Sequence, residues 1–234
     1  MTTSGVRDIS VTRDDIILTA FSDAGIYAPG AEVPTAGEMT DANLRLNMMI
    51  KALQAASMGL WLNQSFSQTL VASAQYYTFG PLGTTVLIRP LAIVEARLRD
   101  VNGNESPLAA MSRDEYMALS MKSSTGKVSQ FYYDPQTTNG RFYVWPVNST
   151  LTDTIVGTMR VPIQTFVNIS DTPDFPQEAF DLLHFGLAVR LSPAYDVPAQ
   201  KVQLLMALYK TALDDFKDFD REQEVSCFFT VATR

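Results

Sequence analysis

The apolar positions change period twice along the chain. Ile16, Ile17, Ala20 and Phe21 recur at helical spacing behind Thr12, and Asp15 stands three residues after it, which is the pattern of a capped helix start. Gly25 is the expected stop. Pro29, Gly30, Pro34 and Gly37 make residues 26–37 a loop. A second helix is expected from Thr40 to near Gly59. It carries two apolar stripes, Leu44, Met48, Lys51/Ala52 and Ala55, and Leu46, Met49/Ile50 and Leu53. So wide an apolar arc predicts a helix inside a bundle.

Beyond it the period falls to two. Val94, Ala96 and Leu98 alternate with Glu95, Arg97 and Arg99, and the Asn-Gly pair of Asp100-Val101-Asn102-Gly103 predicts a hairpin turn. Ser112 caps a short expected helix to Ser120, with Asp114 and Glu115 in its first turn. Strands follow at Val128–Asp134 and Arg141–Trp145 around the turn-rich Pro135–Gly140, and again at Ile155–Val161.

The helical period returns at Asp174. Phe175-Pro176-Gln177-Glu178 reads as a capped start, and Phe180, Leu183, Leu187 and Leu191 form a stripe that Ser192-Pro193 breaks. A last helix is expected from about Pro198 to about Phe219, with Val202, Leu205/Met206, Tyr209, Leu213 and Phe216 as its buried seam. The expected fold class is therefore α+β. Both chain ends, residues 1–62 and 174–222, build a four-helix bundle-like lobe. Residues 63–173 form an inserted antiparallel β lobe with one short helix, and residues 223–234 an extended C-terminal tail.

Composition narrows the function. The 234 residues are 46% hydrophobic and 18% charged, with 18 basic against 25 acidic residues and a net charge of −7. That excludes a disordered chain. No basic run exists to displace counterions from phosphates, so DNA is not expected to be gripped. A single cysteine, Cys227, rules out an internal disulfide. Met1–Asp8 lacks the basic region and apolar stretch of a secretory signal, and no apolar run is long enough for a membrane span.

Candidate chemistry is sparse. With His184 the lone histidine and Cys227 the lone cysteine, no Cys/His zinc site forms within one chain. His184 is expected to pack in or near the helices. Gly126-Lys127-Val128 lacks the glycine and hydroxyl of a phosphate loop. Catalytic, cofactor and metal residues are therefore none. Phe131-Tyr132-Tyr133 and Phe142-Tyr143-Val144-Trp145 have only Lys127 and Arg141 as basic neighbours, so they are read as cross-strand packing rather than a stacking platform. The acidic run Asp214, Asp215, Asp218, Asp220, Glu222 and Glu224 lacks the ligand spacing of a calcium loop. It is read as a solvated helix end, or a patch facing a partner. The tail segment Val225, Ser226, Cys227, Phe228, Phe229, Thr230, Val231 is apolar and β-prone, which suits addition to a partner's sheet or groove.

Three stretches carry a resemblance: Ala55-Ala56-Ser57-Met58-Gly59-Leu60-Trp61; the hairpin Phe131–Pro135 to Arg141–Pro146 with Met159-Arg160-Val161-Pro162; and Phe175-Pro176-Gln177-Glu178-Ala179-Phe180 running into two helices that close on Asp214-Asp215-Phe216. With them the chain resembles the head-to-tail adaptor (head-completion or tail accessory) proteins of short-tailed bacteriophages. The resemblance implies a structural virion protein, made in the host cytoplasm and placed at the head–tail junction. It implies a ring, usually of twelve copies, that binds the portal protein and serves as platform for tail tube, nozzle or fibre proteins. The genome DNA passes through without specific binding, and an acidic lumen would let it slide. Val225, Cys227, Phe228, Phe229 and Val231 are then the portal-docking candidates. Asp214, Asp215, Asp218 and Asp220 are the acidic patch. The tail and part of residues 26–40 are expected to order only when the portal is met. The alternatives are a peptidoglycan hydrolase carried in the tail, or a tail tube or stopper subunit.

Overall fold

The computed structural model describes residues 5, 9–28, 33–55, 60–149 and 153–220. The chain divides into two compact units, one of Met1–Leu60 with Ile163–Arg234 and one of Trp61–Pro162. Among the described residues there are five α-helices and ten strands, so the protein is mixed α+β.

The first unit holds the four long helices. Helix α1 spans Arg13–Ala24. Thr12 and Asp15 form the expected capping box, and Gly25 closes the helix at φ 71°, a left-handed conformation that glycine adopts without strain. Helix α2 spans Ala36–Ala55, so it starts four residues before the expected Thr40. The reason is a second capping box. The Glu38 carboxylate accepts from the Thr35 backbone N–H and hydroxyl, both at 2.7 Å. Residues 36–39, read from sequence as the end of the loop and its link to the helix, are thus helix here.

A 3₁₀ turn, Gln177–Ala179, leads into α4, Phe180–Leu191. No side chain caps that start; Asp174 instead accepts from Gln164 N–H. Ser192–Ala194 makes the break, and α5 runs Ala199–Phe219. Helix α4 is the hub, because α1, α2 and α5 all pack on it. Ile17, Phe21, Leu46, Met49, Ile50, Leu182, Leu183 and Leu187 are wholly buried there.

Residues 163–173 were expected with the strands, yet they cluster with this unit. Asn47 both accepts from Phe166 N–H (2.9 Å) and donates to its carbonyl (3.0 Å). Gln54 accepts from Ile163 N–H, and Lys51 donates to the Ile163 carbonyl. Asn47, Lys51 and Gln54 stand at i, i+4 and i+7, one face of α2, so a polar stripe holds the strap.

The second unit is mostly antiparallel sheet. One sheet has the order β1 (Asn63–Thr69), β10 (Thr154–Arg160), β3 (Ala92–Arg99), β4 (Glu105–Pro107). The other has β2 (Tyr76–Phe79), β8 (Gly140–Trp145), β7 (Gln130–Asp134), β5 (Ala109–Ala110). Two short pairs depart from the antiparallel expectation: β5 lies parallel to β7, and β6 (Thr125–Gly126) parallel to β9 (Val147–Asn148). The hairpin β3–β4 closes at Gly103, with Asp100 accepting from Asn102 and Asn104 N–H. Helix α3, Arg113–Ala118, is capped by Ser112 as expected.

Phe66 of the first sheet meets Phe79 and Phe142 of the second, edge to face at 5.4 and 6.0 Å. Opposite Phe66, β10 carries Gly157, where a Cβ would lie 2.9 Å from the Phe66 ring. Val94 was expected on the buried face with Ala96 and Leu98 but is exposed. Thr158 pairs with Glu95 and Met159 with Ile93, so Val94 is the extra residue of a bulge.

Candidate functional site

An enzyme's chemistry would rest on titratable groups. His184 is the one histidine, and its side chain is 16% exposed. Its Nδ1 lies 2.7 Å from Asp23 of α1 and its Nε2 3.1 Å from Asp181 of its own helix. The two carboxylates hold opposite ring nitrogens, so they do not converge on one point. Among the described residues no group of three His, Cys, Asp or Glu side chains is placed to hold a metal ion.

Carboxylates whose pKa is displaced are displaced downward, each by hydrogen bonds that favour the charged form. Asp15 is lowered by Thr12; Glu38 by Tyr27, then Thr35; Glu115 by Ser112. Asp100 is lowered by Asn104 and Asp171 by the Asn168 and Val167 backbone. Glu105 is lowered by the Arg99 hydrogen bond and charge. These are caps, turns and ion pairs. A glycosidase acid needs the opposite, a carboxyl raised by burial.

The aromatic strands turn their rings on one another. Phe131 stacks on Phe142 at 5.2 Å and Tyr132 on Tyr143 at 5.6 Å. Tyr133 donates to the Pro90 carbonyl at 2.7 Å, and burial pushes its hydroxyl up to about 12. Basic groups over aromatic faces occur at Arg141 on Tyr76 and Lys122 on Tyr116.

What remains is surface. Helix α5 is 21 residues long, yet only Leu205 and Phe216 are buried on it. Val202, Tyr209 and Leu213 of the expected seam are half-buried, and Met206 is exposed. Leu204, 58% exposed, and Leu208 stand one turn apart on the open side. Helix α2 behaves likewise. Its Leu46, Met49, Ile50 and Leu53 stripe is buried, but Leu44 and Met48 are 54% and 59% exposed. The expected bundle interior is therefore a one-sided helix. Towards the end of α5, Asp214, Asp215 and Asp218 are exposed and Asp220 half-buried; Lys217 lies 3.9 Å from Asp214. The candidates Val225, Cys227, Phe228, Phe229 and Val231 lie outside the described residues.

An open groove of about 520 Å³ runs between the segment before α1 and the approach to α4. Ile9 and Val11 line one side, Pro173, Phe175, Pro176 and Phe180 the other. Ile9 N–H donates to the Gln177 side chain across it. Sequence reasoning missed this groove, since Ile9 and Val11 are more than 160 positions from its other wall.

A family model, SU10 adaptor protein, matches residues 21–231. That span covers both compact units and nearly the whole chain. The chain belongs to this family. It is an adaptor of the bacteriophage head-to-tail kind, hence a structural component of the virion, and adaptors associate with portal and tail proteins. No curated protein matches the chain. Among the described residues of this SU10-type adaptor, no helix is long and apolar enough to cross a membrane.

Proposed function

We propose that this adaptor forms a ring, of twelve copies, which docks beneath the portal vertex, continues the DNA channel and carries the tail. The observation that carries the reading is the family match from residue 21 to 231. In it the four long helices act as a bundle-like lobe that packs side by side with its neighbours. The strand unit faces tube, nozzle or fibre proteins, and residues 225–231 dock on the portal.

Two physical features support this. The wet apolar residues Leu44 and Met48 on α2, and Leu204 and Leu208 on α5, lie on two different helices that flank α4. Two unlike patches on one subunit suit a head-to-tail contact that closes into a ring. The net charge of −7 multiplies with copy number, and an acidic lumen repels phosphate. Asp214, Asp215, Asp218 and Asp220 are the proposed contributors, facing lumen or partner.

Native mass of the purified chain, alone and with its phage's portal ring, tests the proposal. The expected result is a monomer near 25.9 kDa that becomes a defined ring on the portal. Deleting residues 225–234 is expected to abolish that step. Rings that stack without a portal would assign a tail tube instead, and a monomer indifferent to the portal would overturn the adaptor ring.

A further inference from the structure

The groove beside α1 and the exit of α5 lie at the same level of the helical unit. A Cβ on Gly186 of α4 would meet the Tyr209 ring of α5 at 2.8 Å, which sets the register of the two antiparallel helices. Stepping back seven residues from Gly186 reaches the buried Ala179, and stepping forward seven from Tyr209 reaches the buried Phe216. The 3₁₀ turn Gln177–Ala179 indeed packs on α5. Phe175, Pro176 and Gln177, which wall the groove, therefore stand alongside Lys217–Asp220, where the described chain ends.

The segment that follows is short and chemically matched. Arg221–Glu224 is a four-residue polar link to Val225, Cys227, Phe228, Phe229 and Val231. Cys227 lies seven residues beyond Asp220, within about 23 Å of extended chain. A tether this short holds the segment near the groove at an effective concentration on the order of mM. The groove wall offers apolar contacts in Ile9, Val11, Pro173, Phe175, Pro176 and Phe180, and Ile9 is 67% exposed. Among the described residues Ser10 and Val11 make no backbone hydrogen bond. An extended segment laid against them gains main-chain partners as well as side-chain burial.

We propose that, in the free subunit, residues 225–231 of the same chain occupy this groove. This rests on the reading of residues 225–231 as an adaptor's docking segment. It adds a regulation: the segment is stored in cis until a portal surface competes for it, so free subunits do not present it to one another.

Cys227, the only cysteine, makes the test direct. Glu178→Cys places a second thiol on the groove wall. Gln200→Cys, near the start of α5, places one about 30 Å from Asp220 by helix rise, out of the segment's reach. Both full-length variants are oxidised with diamide, which takes up the two thiol hydrogens as the disulfide forms. The expected result is an intramolecular disulfide at least tenfold faster in Glu178→Cys than in Gln200→Cys. Equal rates overturn the proposal, and disulfide-linked dimers as the main product overturn it in favour of a second copy's segment. Hydrogen exchange supplies an independent reading. The Ser10, Val11, Phe175 and Gln177 amides are expected to exchange faster when Phe228 and Phe229 are both changed to Asp, and unchanged exchange overturns the proposal. Because no portal is present, failure here leaves portal docking standing, and failure of the portal experiment leaves the groove result standing.

Discussion

Gly186 is where α4 meets both of its larger neighbours, and Gly186→Ala tests that junction. A methyl group there would stand 2.6 Å from Met49 Sδ and 2.8 and 3.1 Å from Tyr209 Cε2 and Cδ2. Carbon atoms prefer about 3.5–4.0 Å, so neighbours must retreat by roughly 1 Å. Met49 is flexible but wholly buried, with filled space around it. Tyr209 is half-buried and carries the rest of α5 with it. Replacing a mid-helix glycine by alanine otherwise gains about 0.8–1.0 kcal/mol. Overpacking costs about 1–3 kcal/mol. The two leave a net destabilisation of about 1 kcal/mol.

The sign is what the experiment reads. Urea unfolding followed by far-UV ellipticity reports the helical unit, which holds all the long helices. Trp61 and Trp145 both lie in the strand unit, so their fluorescence reports the other unit separately. The ellipticity midpoint is expected to fall in Gly186→Ala. In a Tyr209→Ala background the ring is gone, Met49 has room, and the same change is expected to stabilise. The double-mutant cycle should then give a coupling of about 1–2 kcal/mol. A Gly186→Ala protein that is more stable in both backgrounds, with no coupling, would refute close contact of α2, α4 and α5 at this point.

Phe216→Ala removes one of the two buried residues of α5 and is expected to cost about 3–5 kcal/mol in urea unfolding, loosening the helix that carries the acidic patch. Thr12→Ala breaks the α1 capping box and should cost about 1 kcal/mol, read the same way. The lowered carboxylates Asp15, Glu38, Glu115 and Asp171 start from ordinary values of 3.8 to 4.5. A depressed folded pKa gives stability that is full above those values and lost as pH falls through the lower folded ones. Acid titration should therefore leave the urea midpoint flat above about pH 5 and drop it below about pH 4; a midpoint that rises there would contradict the hydrogen bonds. Tyr133 has the opposite sign: its folded pKa of about 12 stands above the ordinary 10.0. Stability is whole below pH 10 and falls as pH climbs through 12, and Tyr133→Phe should remove that alkaline component and its late phenolate absorbance.

Elements whose cause is local were legible. Thr12 with Asp15 and Ser112 with Glu115 are capping boxes whose partners stand three residues apart, and both helices begin where those boxes put them. The same arithmetic was available at Thr35 and Glu38, but Pro34 and Gly37 pointed to a loop. The capping box prevailed because glycine in a first helical turn costs little when the turn is already hydrogen-bonded. Strand β1, Asn63–Thr69, carried little signal, since Phe66 is its one large apolar side chain and the rest are Asn, Gln, Ser and Thr. The strap at residues 163–166 was illegible for another reason. Its placement depends on Asn47, Lys51 and Gln54, polar groups more than a hundred positions away, and a period-based reading counts polar positions only as outward-facing.

The two open helix faces mark the deeper limit. Hydrophobic period reports that a face prefers to leave water, not which molecule covers it. Leu44 and Met48 lie one turn apart on α2 as Leu46 and Ile50 do, so in sequence both stripes argue equally for a helix surrounded by its own chain. In the structure one stripe is wholly buried and the other more than half exposed. Leu204 and Leu208 repeat this on α5 beside the buried Leu205. A chain that folds alone gains nothing from the second stripe and has reason to lose it, because exposed apolar patches invite misassociation. In the proposed ring, where neighbouring copies would complete the burial, the second stripe is the proposed interface. Leu44→Asp and Leu204→Asp should therefore leave the unfolding free energy within about 0.5 kcal/mol while preventing the proposed ring from forming on the portal. A subunit carrying both changes that still assembles would place the contacts between copies elsewhere on the molecule.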